Sequence, residues 1–227
     1  MSQVAERLQQ VRQTLSKFSN ASLVAVSKGQ PFEKVLEAYE GGQRDFGENY
    51  VQELLEKDAL AKSRGITDLR WHFIGHLQTN KVKQLVGVVS VVHVVGSRRL
   101  AEELSKRWPA SGRSGSLPVF LEINIDREES KGGFDPDSVT TELAAMRDLA
   151  GLDWRGLMCI PSPEGGRSGD AFRRLVALEA QCRPTTAGEL SMGMSDDYEA
   201  ALREGAGASR VWIRIGTGIF GERQRLC

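Results

Sequence analysis

The stretch that decides the fold is LVAVSK, from Leu23 to Lys28. Its apolar and partly β-branched residues leave no polar face, which is typical of a strand buried on both sides within a parallel sheet. Gly29 and Pro31 follow at once and end the strand. Lys28 therefore lies at the carboxyl end of a strand, where barrels and open α/β sheets bind their ligands.

The amine at this position has two interpretations. A lysine at the end of an apolar strand loses part of its hydration, which favours the neutral amine that attacks aldehydes. The alternative is a solvated lysine that merely follows a strand. LVAVSK alone leaves both interpretations open.

Composition limits the classes of function. The 227 residues include 30 basic and 30 acidic ones, so the net charge gives no reason to expect a nucleic acid or a charged membrane as partner. Cys159, Cys182 and Cys227 have no CxxC spacing, which fits a reducing compartment. The first residues are charged, and no apolar run reaches membrane-spanning length. We expect a cytoplasmic protein.

Strands and helices alternate along the chain. An amphipathic helix within residues 1–19 comes first, because Val4, Leu8, Val11 and Leu15 share one face with Phe18. The predicted strands cover Leu23–Lys28, Arg44–Phe46, Trp71–Gly75, Val88–Val95, Leu117–Ile125, Arg155–Ile160, Gly188–Met194 and a segment from Val211.

Eight strands alternating with helices predict one α/β domain over residues 1–227, a (β/α)₈ TIM-type barrel with an extra N-terminal helix. An open doubly wound sheet shows the same alternation and remains the alternative. Among the helices, one is predicted to begin at Pro136 with Asp135 as its N-cap, and another at Ser195.

The loops after strands seven and eight have the composition of a phosphate site. They carry SMGMS at 191–195 and RIGTGIFG at 214–221, and barrels frequently bind a phosphate with these two loops. Asp196 and Asp197 would have to point away, since carboxylates compete for the same helix end. The alternative is a set of ordinary turn and cap residues. Hydroxyls and unobstructed backbone donors would come from Ser191, Ser195, Gly216 and Thr217.

An amine after strand one and a phosphate site after strands seven and eight would open into one barrel mouth. A ligand with both an aldehyde and a phosphate ester fits this pair. Pyridoxal 5′-phosphate (PLP) is such a ligand, because it forms a Schiff base with lysine while the protein anchors its phosphate. Arg214, on the last strand, would meet its ring nitrogen.

Several motifs together carry a family resemblance. They are VAVSK at 24–28, FGENYVQE at 46–53, WHFIGHLQTNKVKQL at 71–85, LSMGMSDD at 190–197 and the RIGTGIFG segment. Their order and spread over nearly the whole chain resemble the pyridoxal phosphate homeostasis protein family, single-domain relatives of the alanine racemase N-terminal barrel.

The resemblance implies PLP bound covalently through Lys28, Asn49 lining the ring and Arg214 near the ring nitrogen. It also implies phosphate contacts from Ser191 or Ser195 and from Gly216 and Thr217. No metal is implied, and the function would be intracellular vitamin B6 homeostasis, with apo PLP-dependent enzymes as recipients of the cofactor.

A racemase needs two acid/base groups on opposite faces of the cofactor. Lys28 would be one. In the racemases that this chain resembles, the other group is a tyrosine of a further domain on a partner subunit. Here the sequence ends soon after Gly221. The tyrosines present, Tyr39, Tyr50 and Tyr198, fall in predicted helices. We therefore expect no catalytic residue and a monomeric PLP carrier. The alternatives are a small PLP-dependent amino-acid racemase and a barrel that binds another phosphate.

The remaining candidates have structural interpretations. His72 and His76 have no carboxylate or cysteine at ligand spacing, so hydrogen bonding is expected of them and not metal binding. His93 lies in a run of valines and is expected to be a core histidine with hydrogen-bond partners. Cys159 is expected to be a small packing residue and Lys131 a solvated loop lysine.

Overall fold

The computed structural model describes residues 2–162 and 168–222. Its eight strands are parallel and form a closed barrel in sequence order, with β1 hydrogen-bonded to both β2 and β8. The predicted barrel is confirmed, and the open sheet is wrong. The strands are β1 (Ala21–Val26), β2 (Asp45–Glu48), β3 (Arg70–Phe73), β4 (Val89–Val95), β5 (Leu117–Glu122), β6 (Leu152–Met158), β7 (Glu189–Ser191) and β8 (Arg210–Ile215).

Helices surround the barrel and follow the strands. In the described part of the chain they are α1 (Gln3–Leu15), α2 (Phe32–Glu40), α3 (Val51–Ser63), α4 (Val82–Leu85), α5 (Arg98–Arg107), α6 (Val139–Met146), α7 (Ser168–Cys182), α8 (Tyr198–Glu204) and α9 (Thr217–Phe220). Short 3₁₀ turns lie at Thr79–Lys81 and Pro109–Ser111. No helix within the described ranges is both long and apolar enough to cross a membrane.

The extra N-terminal helix is confirmed. The Ser2 hydroxyl accepts a hydrogen bond from the Ala5 backbone N–H and so caps α1. Val4, Leu8, Val11 and Leu15 are buried, and α1 packs against α9 and α2, whereas Phe18 lies beyond the helix and is only partly buried. This helix therefore covers the seam where the last helix meets the first helix of the barrel.

Residues of β1 alternate between the barrel interior and the helical layer. Leu23 and Ala25 belong to the large apolar core shared with the helices. Val24 and Val26 face the interior, because a Cβ on Gly47 of β2 would lie 2.9 and 3.5 Å from their methyl groups. Since side chains alternate along a strand, Lys28 continues the inward row at the carboxyl end of the barrel.

Several predicted boundaries differ from the structure. The predicted helix start at Pro136 is wrong, because the Asp135 carboxylate accepts the Asp137 backbone N–H at 2.8 Å and forms a turn, and α6 begins only at Val139. The second strand runs over Asp45–Glu48 and not over Arg44–Phe46.

The predicted helix start at Ser195 is also wrong. Residues 195–197 form a turn, and α8 begins at Tyr198 with Asp197 as N-cap. Asp and Ser side chains bond to nearby backbone groups and so favour turns over helix interiors, which explains both late starts. Cys227 and the residues from Pro163 to Gly166 lie outside the described residues.

Candidate cofactor site at the barrel mouth

Lys28 stands two residues beyond β1 and is half-buried. Its neighbour Ser27 is fully buried, and Gly29 turns the chain with a φ of +66°. Gly216, after β8, lies directly beside this strand end, because a Cβ on it would be 3.3 Å from the Val26 carbonyl oxygen. Lys28 and the loop after β8 therefore share one mouth.

A buried lysine of α3 fixes the backbone before Lys28. The Lys57 Nζ donates hydrogen bonds to the Ser27 carbonyl oxygen at 2.6 Å and to Glu48 Oε1 at 2.7 Å. The Ser27 hydroxyl donates to the same Glu48 oxygen at 2.6 Å. Lys57 and Glu48 are 5% and 0% exposed, so this ion pair is shielded from water.

The same lysine also fixes the backbone after Lys28. Lys57 Nζ lies 2.8 Å from Glu53 Oε1, which accepts the Gly29 backbone N–H at 2.6 Å. We call the side chains of Lys57, Glu48 and Glu53 the Lys57 clamp. Sequence reasoning missed it, although the i,i+4 spacing of Glu53 and Lys57 within α3 was a visible signal.

Burial raises the pKa of Glu48 to about 7 and Glu53 adds to this, although Lys57 and the Ser27 hydroxyl act in the opposite direction. The second carboxylate oxygen, Oε2, is buried and has no hydrogen-bond partner within residues 2–162 and 168–222. The protonated form of Glu48 is therefore favoured by the fold more than by the unfolded chain.

This shift predicts a pH-dependent stability. A folded-state pKa above the ordinary value of 4.5 stabilises the fold fully below pH 4.5, and that contribution is lost as the pH rises through about 7. Relative to Glu48→Gln, the wild type should lose up to about 3 kcal/mol of unfolding free energy between pH 4.5 and 7.5. Urea unfolding at several pH values measures this, with Glu56→Gln on the exposed side of α3 as control. Parallel pH profiles for wild type and Glu48→Gln would contradict the shift.

Arg214 projects from β8 into the barrel interior and is 5% exposed. One guanidinium nitrogen donates to the Ser191 hydroxyl at 2.6 Å and another to the Cys159 carbonyl oxygen at 3.0 Å. Burial lowers the pKa of Arg214 from its very high ordinary value, but a guanidinium keeps its charge in proteins. The structure thus places a fixed positive charge below the mouth.

Ser191 lies beneath the rim and not on it. It is fully buried, and its hydroxyl is shared between Arg214 and His93, whose Nδ1 is 2.7 Å away. Of the two serines predicted to contact a phosphate, Ser195 is the one at the surface of the mouth, where its hydroxyl accepts a hydrogen bond from Thr217 at 3.1 Å.

The rim joins the loops after β7 and β8. Besides the contact between Ser195 and Thr217, the first turn of α9 directs its backbone N–H groups outward, as the start of any helix does. The Asp197 carboxylate turns back to its own loop and accepts the Met194 N–H at 2.7 Å, and Asp196 is exposed. The rim therefore offers hydroxyls and backbone donors suited to an anion.

Asn49 extends the inward row of β2 into the mouth. Its Oδ1 is buried and has no hydrogen-bond partner among the described residues. The Asn49 backbone packs so closely on Gly75 that a Cβ there would lie 2.2 Å from the Asn49 carbonyl oxygen. A buried polar atom without a partner costs free energy, so this amide is suited to a polar group of a ligand.

Glu122, at the end of β5, is a mouth residue that sequence reasoning missed. Phe120 stacks on His93 inside the barrel with ring centroids 4.7 Å apart, so Glu122 continues that inward row. Burial raises the pKa of Glu122, while His76 and Arg214 act against the rise. The signal in the sequence was the two-residue spacing of Phe120 and Glu122 within an otherwise apolar strand.

The other sequence candidates lie as follows. Tyr50 was predicted within a helix, but it precedes α3 and is 66% exposed. Tyr39 donates to Asp68 at 2.7 Å, and Tyr198 begins α8. Cys159 is a buried packing residue as predicted, and burial raises the pKa of its thiol to about 12.

Lys131 is not simply solvated. Its Nζ forms an ion pair with Glu128 and lies 3.3 Å from the Ile160 carbonyl oxygen, and its side chain is 32% exposed. His93 has the hydrogen-bond partners expected of a core histidine. Within the described ranges, no three His, Cys, Asp or Glu side chains are grouped in a way that would hold a metal ion.

Comparison with known proteins assigns the chain to a family. The family model for the alanine racemase N-terminal domain matches residues 1–224. The pyridoxal phosphate homeostasis protein of Pseudomonas aeruginosa is 40% identical over 230 residues, which cover 98% of this chain and 94% of that protein.

Solved structures agree with this comparison. PipY of Synechococcus elongatus, solved with PLP bound, is 36% identical with a TM-score of 0.86, and the match covers 96% of this chain and all of PipY. Alanine racemase of Corynebacterium glutamicum shares the fold, with a TM-score of 0.67 at 16% identity over 99% of this chain and 62% of the racemase.

Proposed function

Because this chain belongs to the pyridoxal phosphate homeostasis protein family, we propose that residues 1–227 form a single domain that binds PLP through a Schiff base on Lys28 and holds it for intracellular vitamin B6 homeostasis. The observation that carries the proposal is the contact of Gly216 with the end of β1, which brings the amine and the anion-binding rim into one mouth. PLP is a ligand of PipY, a relative that aligns over nearly the whole chain.

The residues of the mouth fit the parts of PLP. Ser195, Thr217 and the backbone of Gly216 would hold the phosphate, and the charged Arg214 would donate to the ring nitrogen. The Asn49 amide, whose Oδ1 has no partner among the described residues, would lie along the ring. PLP itself supplies an aldehyde and an electron-accepting ring. This assignment gives a partner to Asn49 Oδ1, which is buried and has none among the described residues.

Arg214 also favours a protein that stores PLP over one that uses PLP in catalysis. PLP catalysis depends on the ring as an electron sink, and a protonated ring nitrogen strengthens that sink. A guanidinium beside the nitrogen opposes protonation, because two positive charges would then meet in a buried site. We infer that the protein has no catalytic turnover, that it acts in the cytoplasm as a monomer, and that apo PLP-dependent enzymes receive its cofactor.

Glu122 is the one observation that favours an alternative. A small amino-acid racemase would need a second acid/base group opposite Lys28, and a buried carboxyl with a raised pKa at the mouth has the required chemistry. A barrel that binds some other phosphate is the third candidate.

One experiment separates the three. We expect purified protein given PLP to take up one equivalent, turn yellow, and exchange the Cα proton of amino acids in deuterium oxide no faster than free PLP does. Exchange at an enzymatic rate that Glu122→Gln removes would favour the racemase. Protein that stays colourless and binds inorganic phosphate but no PLP would favour the third candidate.

A further inference from the structure

A row of hydrogen-bonded polar side chains crosses the barrel interior from the mouth to the base. Arg214 donates to Ser191, whose oxygen is 2.7 Å from His93 Nδ1; His93 Nε2 is 2.8 Å from His72 Nδ1, and His72 Nε2 is 3.0 Å from Asp45 Oδ1. We call these five residues the axial chain. Interiors of such barrels are usually filled by branched apolar side chains, so the chain needs an explanation.

When both imidazoles are neutral, the two ends of the axial chain fix the direction of every hydrogen bond in it. A guanidinium can only donate, and an ionised carboxylate can only accept. Asp45 therefore accepts from His72 Nε2–H, which leaves His72 Nδ1 to accept from His93 Nε2–H. His93 Nδ1 then accepts a hydrogen bond from the Ser191 hydroxyl, and the Ser191 oxygen accepts one from Arg214.

The charge states of Asp45 and His93 support these hydrogen-bond directions along the axial chain. Although burial alone would raise it, the pKa of Asp45 is lowered to about 2 by the hydrogen bonds from His72 and Arg70, so its carboxylate is ionised. Complete burial, with His72 and Arg214 nearby, lowers the pKa of His93 well below 6.5, so that ring is neutral. Every polar atom of the two imidazoles then has one partner.

We propose that His93 is a positioning residue for Arg214. Because His93 accepts the hydrogen bond of the Ser191 hydroxyl, the Ser191 oxygen is turned toward Arg214 and holds the guanidinium on the barrel axis. The proposal rests on the proposed function, in which Arg214 meets the PLP ring nitrogen. Ser191, hydrogen-bonded to His93, holds Arg214, and no carboxylate of the axial chain lies next to the guanidinium. The negative charge of the axial chain lies instead on Asp45, at the base of the barrel.

The ionisable groups on neighbouring elements that raise the pKa of Arg214, against the lowering by burial, are Cys159, Asp197 and Glu122. Within residues 2–162 and 168–222, its guanidinium donates hydrogen bonds to Ser191 and to the Cys159 carbonyl oxygen. The Ser191 contact is thus one of the two that define the guanidinium position. Loss of His93 would let the Ser191 hydroxyl rotate and donate elsewhere.

The first test needs no cofactor. The chain has 3 histidines, so ¹⁵N–¹H long-range NMR of the apo protein at pH 7.5 can assign each ring tautomer. We expect both His72 and His93 as neutral rings protonated at Nε2. A proton on Nδ1 of His93 would reverse its bond to Ser191 and overturn the proposal, whether or not the protein binds PLP.

The second test uses variants and PLP. His93→Leu should weaken PLP binding about tenfold, the effect of misplacing one charge-assisted hydrogen bond, and shift the visible absorption maximum of the bound cofactor. His93→Asn, whose amide oxygen can replace Nδ1 as acceptor for Ser191, should stay within about threefold of the wild type. Phe120→Leu, which removes a ring stacked on His93 but no hydrogen bond, is the control.

The outcomes are distinct. Binding of inorganic phosphate should stay unchanged in all three variants, because the rim is intact. Wild-type PLP affinity and absorption in His93→Leu, or equal losses in His93→Leu and Phe120→Leu, would overturn the positioning role. Failure of the wild type to bind PLP would instead contradict the proposed function, and the tautomers of the apo protein would still decide the direction of the chain.

Discussion

Lys28→Ala is expected to abolish the yellow colour of the PLP-loaded protein and to weaken PLP binding by at least about 100-fold, or about 2.7 kcal/mol. The reason is that the Schiff base is the single covalent bond in the proposed site. The proposed phosphate rim of Ser195, Gly216 and Thr217 is untouched by this change. Inorganic phosphate should therefore bind Lys28→Ala as it binds the wild type.

Lys83→Ala, which removes an exposed lysine of α4, is the matched control and should keep both the colour and the affinity. Unfolding by urea shows whether each variant is folded. A folded Lys28→Ala variant that keeps wild-type colour would place the imine on another amine and contradict the assignment.

Lys57→Ala is expected to destabilise the fold by about 3 to 5 kcal/mol, the range for removing one partner of a buried ion pair. Glu48 would lose its cation while remaining fully buried. Because protonation of Glu48 relieves part of this cost, the loss should be larger at pH 8 than at pH 5. Urea unfolding at both pH values measures it.

Two variants control this prediction. Lys62→Ala removes an exposed lysine from the same helix and should change stability by less than about 1 kcal/mol. The double variant Glu48→Gln with Lys57→Met removes the buried charges together and should recover most of the stability. A loss below about 1 kcal/mol in Lys57→Ala would mean that the Lys57 clamp contributes little.

The barrel could be predicted from the sequence because apolar runs such as LVAVSK and VVSVVHVV report strands buried on both faces. The predicted ends of the elements were less accurate. Asp135 and the Ser195 to Asp197 segment have the composition of helix starts, yet their side chains bond to adjacent backbone and make turns. Composition alone does not distinguish these two outcomes.

A candidate residue could be placed from the sequence only where its position follows from its own strand. Lys28 comes at the carboxyl end of the apolar run of β1, and that placement required no knowledge of the other strands. The Lys57 clamp required knowing how α3 folds back over the end of β2. The axial chain required knowing that the inward-facing residues of five strands meet along the barrel axis. His72 and His93 could therefore be recognised as hydrogen-bonding residues but not joined to Arg214.

Ser191 shows the same limit. Its position in SMGMS placed it correctly at the end of β7, but the strand's alternation directs its hydroxyl into the barrel below Arg214. The register with β8 decides this, since Ser191 pairs with Trp212, two residues before Arg214. Glu122 was missed because it is a single inward-facing carboxylate at the end of an otherwise apolar strand, and nothing in the strand's composition marks it.

The most direct test of the central claim is borohydride reduction of the PLP-loaded protein, followed by proteolysis and mass spectrometry. Reduction fixes the cofactor on the amine that holds it. The account predicts one pyridoxyl phosphate per chain, on the peptide that contains Lys28 and on no other. A reduced cofactor on a different lysine, or none on any peptide of protein saturated with PLP, would contradict it.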